Sequence, residues 1–466
     1  MQSGSLPRRT TRQKRDGIFS PAYLATTVGL LMAITACAFD NTAVTAVMPR
    51  ITEVLGDTRS YSLAFAIPFA VSILAMVAAG IATDVAGVRL SLMTGTGILA
   101  VGLALSVVAP DMTVFLISRG IQGFGIGAVI VAIYAVIAQV YPAHLRATVF
   151  AAFSGAWVIP SLVGPAFAGI LTETFTWHAV FLFTLVLLLA AAVLLWPAVR
   201  TVPATGGTLS PGSTRMLLAA LTLSAAAGIL NYSSQLAVGA AFLGFVLVLP
   251  VIAVSIRPLV PAGTLRGRPG VPRLVSSRVL TDMVLAAEIY VPLLLADVYG
   301  LGPTLTGLGL TASGVTWFLG SHIQARHAGH LPTPLVCRTA AAAMAPGLLI
   351  VALAAMTGVH WGIAVLGWGL SAFGIGFVYP RISSDALELS PPERTGFIGS
   401  ALQVAGITGM TIAVAVGALV LSATADLGAQ SRFLVTYLVL ALAVVPFVWL
   451  WRPGAGESAD APHHSH

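Results

Sequence analysis

The sequence predicts an all-α, polytopic membrane protein whose transmembrane helices are organised as six, two and six. Of its 466 residues, 57% are hydrophobic and 8% are charged, whereas a soluble domain is about one quarter charged. Apolar runs of roughly twenty residues, the length that a helix needs to cross the hydrocarbon layer, recur along the whole chain. The basic residues lie between these runs instead of forming one patch, which indicates a membrane topology and not a nucleic-acid-binding surface.

The apolar runs place the helices along the chain. Six runs come first, at about 22–48, 61–83, 90–109, 113–140, 147–171 and 176–198. Two closely spaced runs, at about 215–231 and 235–256, predict a hairpin. Six more follow, at about 279–299, 304–324, 335–357, 361–380, 395–422 and 431–451. Removing the hairpin would preserve an even number of helices, so twelve and fourteen spans both stay open at this point.

These runs divide the chain into five predicted parts. They are a cytoplasmic N-terminal tail (1–20), an N-terminal six-helix bundle (21–199), a linker with two extra helices and a basic cytoplasmic loop (200–278), a C-terminal six-helix bundle (279–452) and a disordered C-terminal tail (453–466). With both termini in the cytoplasm, nineteen of the 23 Lys and Arg residues fall on the cytoplasmic side of the predicted topology, three fall outside and Arg119 lies inside a helix. This asymmetry predicts a multi-pass protein of the inner (plasma) membrane.

The sequence carries no signature of an enzyme or of a metal site. It contains no H-E-x-x-H and no G-x-S-x-G, and the G-x-G-x-x-A match at 123–128 lies inside an apolar helix that follows no strand. Cys37 and Cys337 both fall in apolar runs, so a disulfide framework is not indicated. We therefore expect no cofactor, no metal and no nucleic-acid partner.

A few charged residues fall within the predicted helices. Asp40 and Glu288 lie well inside, and Asp282 lies one to two turns nearer the cytoplasm. A carboxylate at mid-bilayer costs about 2.5–3.5 kcal/mol and commonly marks a functional cavity, the alternative being a neutral carboxylic acid bonded to nearby backbone. For Asp282 both readings stay open. Because Arg119 occupies a depth similar to that of Asp40, we expect the two to form an ion pair.

Two motifs carry a family resemblance. The segment Asp40-Asn41-Thr42, continuing to Pro49, and the segment Arg119-Gly-Ile-Gln122-Gly in helix four resemble motifs of the major facilitator superfamily, specifically the fourteen-helix drug:proton antiporters, which are multidrug efflux transporters. The resemblance covers the whole chain and is most specific in the first six helices. It implies that Asp40 is the proton-linked acid and that Arg119 and Gln122 belong to the proton and substrate path.

The resemblance extends to gating motifs in the first half. The sequence G-x-x-x-D-x-x-G-x-R between helices two and three resembles the superfamily's loop signature, although Val85 stands where a basic residue is usual. Glycine there would allow close helix approach and a tight turn, and the aspartate could receive an Arg or a helix N-terminus. Helix five carries a motif that in the family accompanies export, and its proline predicts a bend. The gating residues implied are Gly80, Asp84, Gly87, Arg89, Gly164, Pro165 and Gly169.

The second half resembles a repeat of the first. The run Glu288-Ile-Tyr290-Val-Pro resembles the opening helix of that half, which would place Glu288 across a central cavity from Asp40. Gln324 stands where a second loop signature would have its acid. Several aromatic residues could line the cavity, but such residues also pack between helices or anchor at interfaces. They are Trp157, Tyr290, Trp317, Trp368 and Tyr379.

Together with the buried charges, the resemblance implies a proton-coupled efflux transporter that works by alternating access and has a role in antibiotic resistance. Asp40, Arg119 and Glu288 would couple proton entry to substrate exit, and the substrate site would include Asp40, Gln122, Trp157, Glu288, Tyr290 and Trp317. Small amphipathic or cationic compounds, protons and membrane lipids are the expected partners of a monomer driven by the proton gradient. The alternatives are export of an endogenous lipid or metabolite, proton-coupled import, and a non-transporting membrane sensor or scaffold.

Overall fold

The computed structural model describes residues 17–57, 59–202, 212–327, 330–391 and 394–452. Nine side chains within helices, at 143, 144, 147, 150, 151, 154, 158, 395 and 396, are also outside this description. The predicted C-terminal tail and most of the predicted N-terminal tail lie outside the described residues. Within those ranges the secondary structure is entirely helices and turns, so the predicted all-α class is confirmed.

The helices follow the predicted order. The first six are α1 (Leu24–Val54), α2 (Leu63–Ala86), α3 (Val88–Val107), α4 (Met112–Val140), α5 (Ala143–Thr174) and α6 (His178–Val199). A hairpin follows, formed by α7 (Ser213–Ser233) and α8 (Val238–Ser255). The remaining helices are α9 (Val271–Leu285), α10 (Tyr290–Asp297), α11 (Pro303–Arg326), α12 (Thr333–Thr357), α13 (Trp361–Glu388), α14 (Thr395–Ala423), α15 (Ala429–Ala441) and α16 (Val444–Leu450).

Among the described residues, thirteen segments are long and apolar enough to cross a membrane. The pair α9–α10, joined by the 3-10 segment Ala286–Ile289, counts as one of them, and so does the pair α15–α16. Helix α7 and helix α8 each qualify. The fourteenth element, α11, is 24 residues long but rich in Gly, Ser and Thr, and it packs between α5 and α13. The arrangement of six, two and six is therefore the one observed.

Several helix boundaries differ from the sequence expectation. Helix α9 begins at Val271 instead of near 279, so Arg273 and Arg278 are helical residues and not loop residues. Pro272 is compatible with this start because a proline in the first turn removes no intrahelical hydrogen bond. Helix α5 runs without interruption through Pro160 and Pro165. Helix α13 continues to Glu388, two turns beyond its predicted end.

The two six-helix halves are joined at one end of the bundle. We call the end that holds the Gly87 turn the inner end and the end that holds the α1–α2 connection the outer end. The Tyr61 hydroxyl donates to the Ile289 carbonyl at 2.5 Å, and the Glu173 carboxylate accepts bonds from the Thr304 amide at 3.0 Å and hydroxyl at 2.6 Å. These three hydrogen bonds join the halves toward the outer end.

Glycines form a second contact between the halves, along α5 and α11. A Cβ at Gly169 would lie 2.6 Å from the Pro303 carbonyl oxygen, and one at Gly314 would lie 2.6 Å from the Ser161 carbonyl oxygen. Gly307 approaches the backbone of Pro165 equally closely. Only a residue without a Cβ allows two membrane helices to approach this closely. The seam between the halves therefore depends on glycine.

A methyl group in this seam should destabilise the protein. Gly314→Ala places a Cβ against backbone that cannot rotate away, and overpacking of this kind costs about 1–3 kcal/mol. The measurement is the midpoint of thermal unfolding in detergent. Gly97→Ala is the matched control, because a Cβ on Gly97 of α3 meets no atom within 4 Å. Equal midpoints for the two variants would contradict the close contact.

Candidate functional site

The predicted ion pair between helices one and four is present. Nη1 of Arg119 on α4 donates to Oδ2 of Asp40 on α1 at 2.8 Å. The two residues are 2% and 1% exposed. Taking charges out of water costs several kcal/mol per ion, so a pair this deeply buried needs further hydrogen bonds to be stable.

Those further bonds connect four helices. Nε of Arg119 donates to the Ala64 carbonyl of α2 at 3.1 Å, and its Nη1 also donates to Oε1 of Gln122. Nε2 of Gln122 in turn donates to Ser106 Oγ on α3 at 2.7 Å and to the Gly102 carbonyl at 3.1 Å. The network therefore holds α2, α3 and α4 in fixed positions around the carboxylate of α1. The sequence predicted a functional role for Gln122 but none for Ser106.

One oxygen of the network has no partner. Oδ1 of Asp40 is buried and accepts no hydrogen bond from the described residues. A buried acceptor left unpaired costs about 1–3 kcal/mol. A proton, or a donor or cation from a ligand, would relieve that cost. Oδ1 of Asp40 is therefore the atom of the network that is left to accept a further donor.

The C-terminal half contains its own buried ion pair. Nε of Arg278 donates to Oδ2 of Asp282 at 2.6 Å, with both side chains on α9. Their exposed fractions are 6% and 3%. The Arg278 guanidinium also donates to the Tyr379 hydroxyl and lies 3.6 Å from the centre of that ring. Gln403 Oε1 accepts from the same group at 3.4 Å, so α9, α13 and α14 meet at this pair.

The role of Arg278 was missed by the sequence analysis. The prolines that precede it indicated a loop, and the residue was assigned there with the other arginines. The spacing of Arg278 and Asp282 was the available signal, because residues four apart share one face of a helix. Tyr134 of α4 is close enough for the Arg278 charge to act on its hydroxyl. The second ion pair therefore faces the N-terminal half.

Glu288 occupies a different environment from Asp40. It lies in the 3-10 segment, half-buried, near Trp368 and Tyr437. The Trp368 indole nitrogen is buried and makes no hydrogen bond of standard geometry with the described residues. No contact joins Glu288 to Asp40 among those residues. Glu288 therefore lies near two aromatic side chains, and among the described residues no arginine forms an ion pair with it.

The predicted substrate aromatics have unequal positions. Tyr290 is fully buried and donates to the Val414 carbonyl at 2.6 Å, so it packs between helices. Trp157 and Trp317 are half-buried. The Trp317 ring lies 5.5 Å from the Tyr379 ring, next to the second ion pair. A substrate-binding role for these residues stays a prediction.

The loop signature is built only in part as expected. Gly87 has φ +89°, a conformation that favours glycine and forms the tight turn between α2 and α3. No helix approaches Gly80 closely, because a Cβ on this residue would meet no atom within 4 Å. Asp84 is exposed and has no hydrogen bond or ion pair with the described residues. The Arg89 guanidinium instead lies 5.1 Å from the Trp196 ring.

The export-type motif of α5 lies at two helix contacts. A Cβ at Gly164 would be 3.0 Å from Thr42 Oγ1 of α1. Pro165 and Gly169 instead contact α11, on the seam between the halves. Within the described residues, no cluster of three or more potential metal ligands occurs.

Removing one member of the buried pair should destabilise the protein. Arg119→Leu leaves the Asp40 carboxylate uncompensated, and breaking a buried pair in this way costs about 3–5 kcal/mol. Arg119→Leu combined with Asp40→Asn should cost less than the sum of the single changes, because no isolated charge remains. Thermal unfolding of the four proteins measures the coupling. Arg50→Gln is the control, since the Arg50–Glu53 pair is 48% and 69% exposed; additive effects would contradict the pair.

Comparison with known proteins agrees with this architecture. The model of the Major Facilitator Superfamily matches residues 30–407. The chain is 26% identical over 430 residues to a probable multidrug-efflux transporter of Mycobacterium tuberculosis, covering 85% of this chain and 89% of that protein. It is 25% identical over 387 residues to the MFS-type transporter ppz2 of Metarhizium majus, covering 78% of this chain and 66% of that protein. For Multidrug resistance protein 3 of Bacillus subtilis, 29% identity extends over 154 residues, which is 33% of this chain and 30% of that protein.

Solved structures share the fold at low sequence identity. An auto-inhibited POT family peptide transporter superposes with a TM-score of 0.67 at 16% identity, covering 92% of this chain and 97% of that chain. The human organic anion transporter MFSD10 gives 0.62 at 17% identity, covering 93% and 100%. These relatives and structures are transporters and not enzymes. The chain is thus a multi-pass membrane protein that belongs to the Major Facilitator Superfamily.

Proposed function

We propose that this chain is a proton-coupled antiporter that exports small amphipathic or cationic compounds, drugs among them. The observation that carries the proposal is the buried Asp40–Arg119–Gln122 network, in which one carboxylate oxygen has no partner. Ionisable groups inside a membrane are costly and commonly belong to ion or substrate pathways. The likeness to multidrug-efflux transporters supports this class of substrate.

The network would link the charge on Asp40 to helix positions. Protonation of Asp40 removes the negative charge that holds Arg119, while Arg119 stays bonded to Ala64 of α2 and to Gln122 of α4. Helix α1 is then free to shift relative to those helices, and we expect this shift to be coupled to the rocking of one half against the other that alternating access requires. Because hydrogen bonds join the halves toward the outer end, we expect this state to receive substrate from the inner end.

We place the protein in the plasma membrane as a monomer with both termini in the cytoplasm. The basic residues support this orientation, since arginines concentrate at the inner end, at Arg89 beside the Gly87 turn and at Arg257, Arg266 and Arg268 in the connection before α9. The outer end, where hydrogen bonds join the two halves, would then face away from the cytoplasm. A cytoplasmic drug would enter between the halves, and resistance to antibiotics would be one outcome.

Glu288 is the second acid in this proposal. Exchange of one proton for one monovalent cation moves no net charge, so use of the membrane potential, worth about 2.3 kcal/mol per charge at 100 mV, needs another titrating group. Asp282 and Asp385 are engaged by Arg278 and Arg381. Glu288, in contrast, has no ion-pair partner among the described residues.

Transport by purified protein in liposomes tests the role of Asp40. With a cationic dye as substrate and an imposed pH gradient, Asp40→Asn should lower the rate at least tenfold, because the residue can no longer release a proton. Arg50→Gln, an exposed change at the outer end, should transport like the wild type. Undiminished pH-driven transport by Asp40→Asn would refute the assignment. Uptake instead of efflux would favour an importer, and absence of any transported solute a sensor or scaffold.

The electrical part of the proposal has a separate test. Glu288→Gln should keep transport driven by a pH gradient and lose most of the stimulation by an imposed potential, since one of two transferred protons is removed. Initial rates under each gradient alone provide the measurement. Equal stimulation of the variant and the wild type by the potential would show that Glu288 does not titrate during transport.

A second candidate function is export of an endogenous lipid. One relative, 27% identical over 383 residues and matched over 74% of this chain and 68% of its own length, is named as a triacylglyceride transporter of Mycolicibacterium hassiacum. Thermal stabilisation of the purified protein by neutral lipids, without stabilisation by drug-like cations, would favour this function over drug efflux.

A further inference from the structure

A basic pocket lies at the inner end of the C-terminal half, far along the chain from the Asp40 network. Its volume is about 180 Å³, and it is lined by Arg266, Gly267, Arg273, Trp449, Leu450 and Arg452. Drug-sized ligands use pockets of roughly 300–1,000 Å³. The pocket is therefore the size of a small charged group, and half of its lining residues are arginines.

The loop that forms one wall of the pocket has a defined structure. Gly263 and Gly267 adopt left-handed conformations, with φ of +94° and +58°, on either side of the 3-10 turn Thr264–Arg266. The Ser276 hydroxyl of α9 donates to the Thr264 carbonyl, which fixes this turn on the helix. Gly267 lies against Leu450, so the loop is packed on the end of α16. This wall of the pocket is thus held in place by contacts with α9 and α16.

Two arginines of the pocket, Arg266 and Arg273, lie in a part of the chain that is poor in acidic residues. The sequence contains no Asp or Glu between Glu173 and Asp282. Among the described residues, no ion pair joins Arg266 or Arg452 to a carboxylate. Aromatic rings hold two of the guanidinium groups, with Arg452 4.9 Å from the Trp449 ring centre and Arg273 5.7 Å from that of Trp451. The charges of Arg266 and Arg452 are therefore gathered around one space without an ion-pair partner among the described residues.

An exposed apolar stripe leads from the pocket toward the opposite side of the membrane. It consists of Leu438, Leu442, Val445 and Trp449, which are 41%, 63%, 62% and 57% exposed. Their spacing of four, three and four residues places them on one face of α15 and α16. Trp449 belongs to both the stripe and the pocket, as expected for an aromatic residue at a membrane interface.

We propose that this pocket binds the phosphate headgroup of an anionic phospholipid of the inner leaflet, with an acyl chain along the stripe Leu438–Trp449. Guanidinium groups bind phosphate oxygens through paired N–H donors. Basic pockets on the cytoplasmic side of membrane proteins are suited to such headgroups. Arg266 and Arg452 supply exposed donors, while the stripe distinguishes a lipid from a free phosphate. The bound lipid would hold the loop before α9 to the end of α16.

Lipid binding by the full-length purified protein tests the proposal. The probe is phosphatidylglycerol in mixed vesicles with phosphatidylcholine, and bound lipid is counted by native mass spectrometry after extraction. Arg266→Gln combined with Arg452→Gln should weaken phosphatidylglycerol binding about thirtyfold, from the loss of two phosphate-binding charges. Arg257→Gln combined with Arg268→Gln is the matched control, since it removes the same amount of charge from the loop before α9 at positions that do not line the pocket. The control should retain binding.

Three results would overturn the proposal. Equal loss of binding in both double variants would show a diffuse surface charge instead of a site. Equal competition by inorganic phosphate would show a site for free phosphate. Unchanged binding in Arg266→Gln/Arg452→Gln would show that the pocket holds no lipid. Arg266→Lys/Arg452→Lys should retain most binding, and thermal unfolding in phosphatidylcholine checks that each variant is folded.

Discussion

The structure of the N-terminal half depends on the need to neutralise one buried carboxylate. Asp40 can lie 1% exposed within a membrane helix only because Arg119 reaches it from α4. Arg119 needs acceptors for its other donors, and these come from α2 and from Gln122, which in turn is held by α3. In a hydrocarbon environment no water can replace these groups, so the polar network determines how the four helices are placed.

Close helix packing around that network requires residues without side chains. A Cβ on Gly102 would lie 2.8 Å from the backbone nitrogen of Gln122, and one on Gly125 would lie 2.5 Å from the backbone nitrogen of Leu99. Gly123 contacts the backbone of Pro68 still more closely. The glycines that follow Arg119 and Gln122 therefore let α4 pack closely against α2 and α3. This close packing allows the polar side chains of the network to reach each other.

The two halves carry ion pairs of different kinds. Asp40 and Arg119 belong to different helices, so their contact depends on the relative position of α1 and α4. Arg278 and Asp282 share α9, and their contact survives any rigid movement of that helix. What would change there is the contact of Arg278 with Tyr379 of α13 and Gln403 of α14. Movement of α1 relative to α4 therefore acts on the first pair directly, whereas movement of α13 or α14 relative to α9 changes only the neighbours of the second pair.

Sequence patterns were sufficient to predict the membrane class, the order of six, two and six helices, and the pairing of Asp40 with Arg119. Hydrophobic length and the high cost of buried charge act locally, so they can be detected along one chain. The sequence did not place Arg278 in the membrane, because the adjoining prolines indicated a loop and only packing against α13 and α14 showed a helix. It also assigned close packing to Gly80, which meets nothing within 4 Å.

Other features depended on segments distant in sequence and were decided by the tertiary structure alone. They include the hydrogen bonds that join the halves toward the outer end, the glycine seam between α5 and α11, and the basic pocket where the loop before α9 meets the end of α16. Each brings together residues more than 100 positions apart, as with Gly169 and Pro303 or Gly267 and Leu450. Local sequence patterns carry no information about such contacts, because their geometry is fixed only when the helices pack.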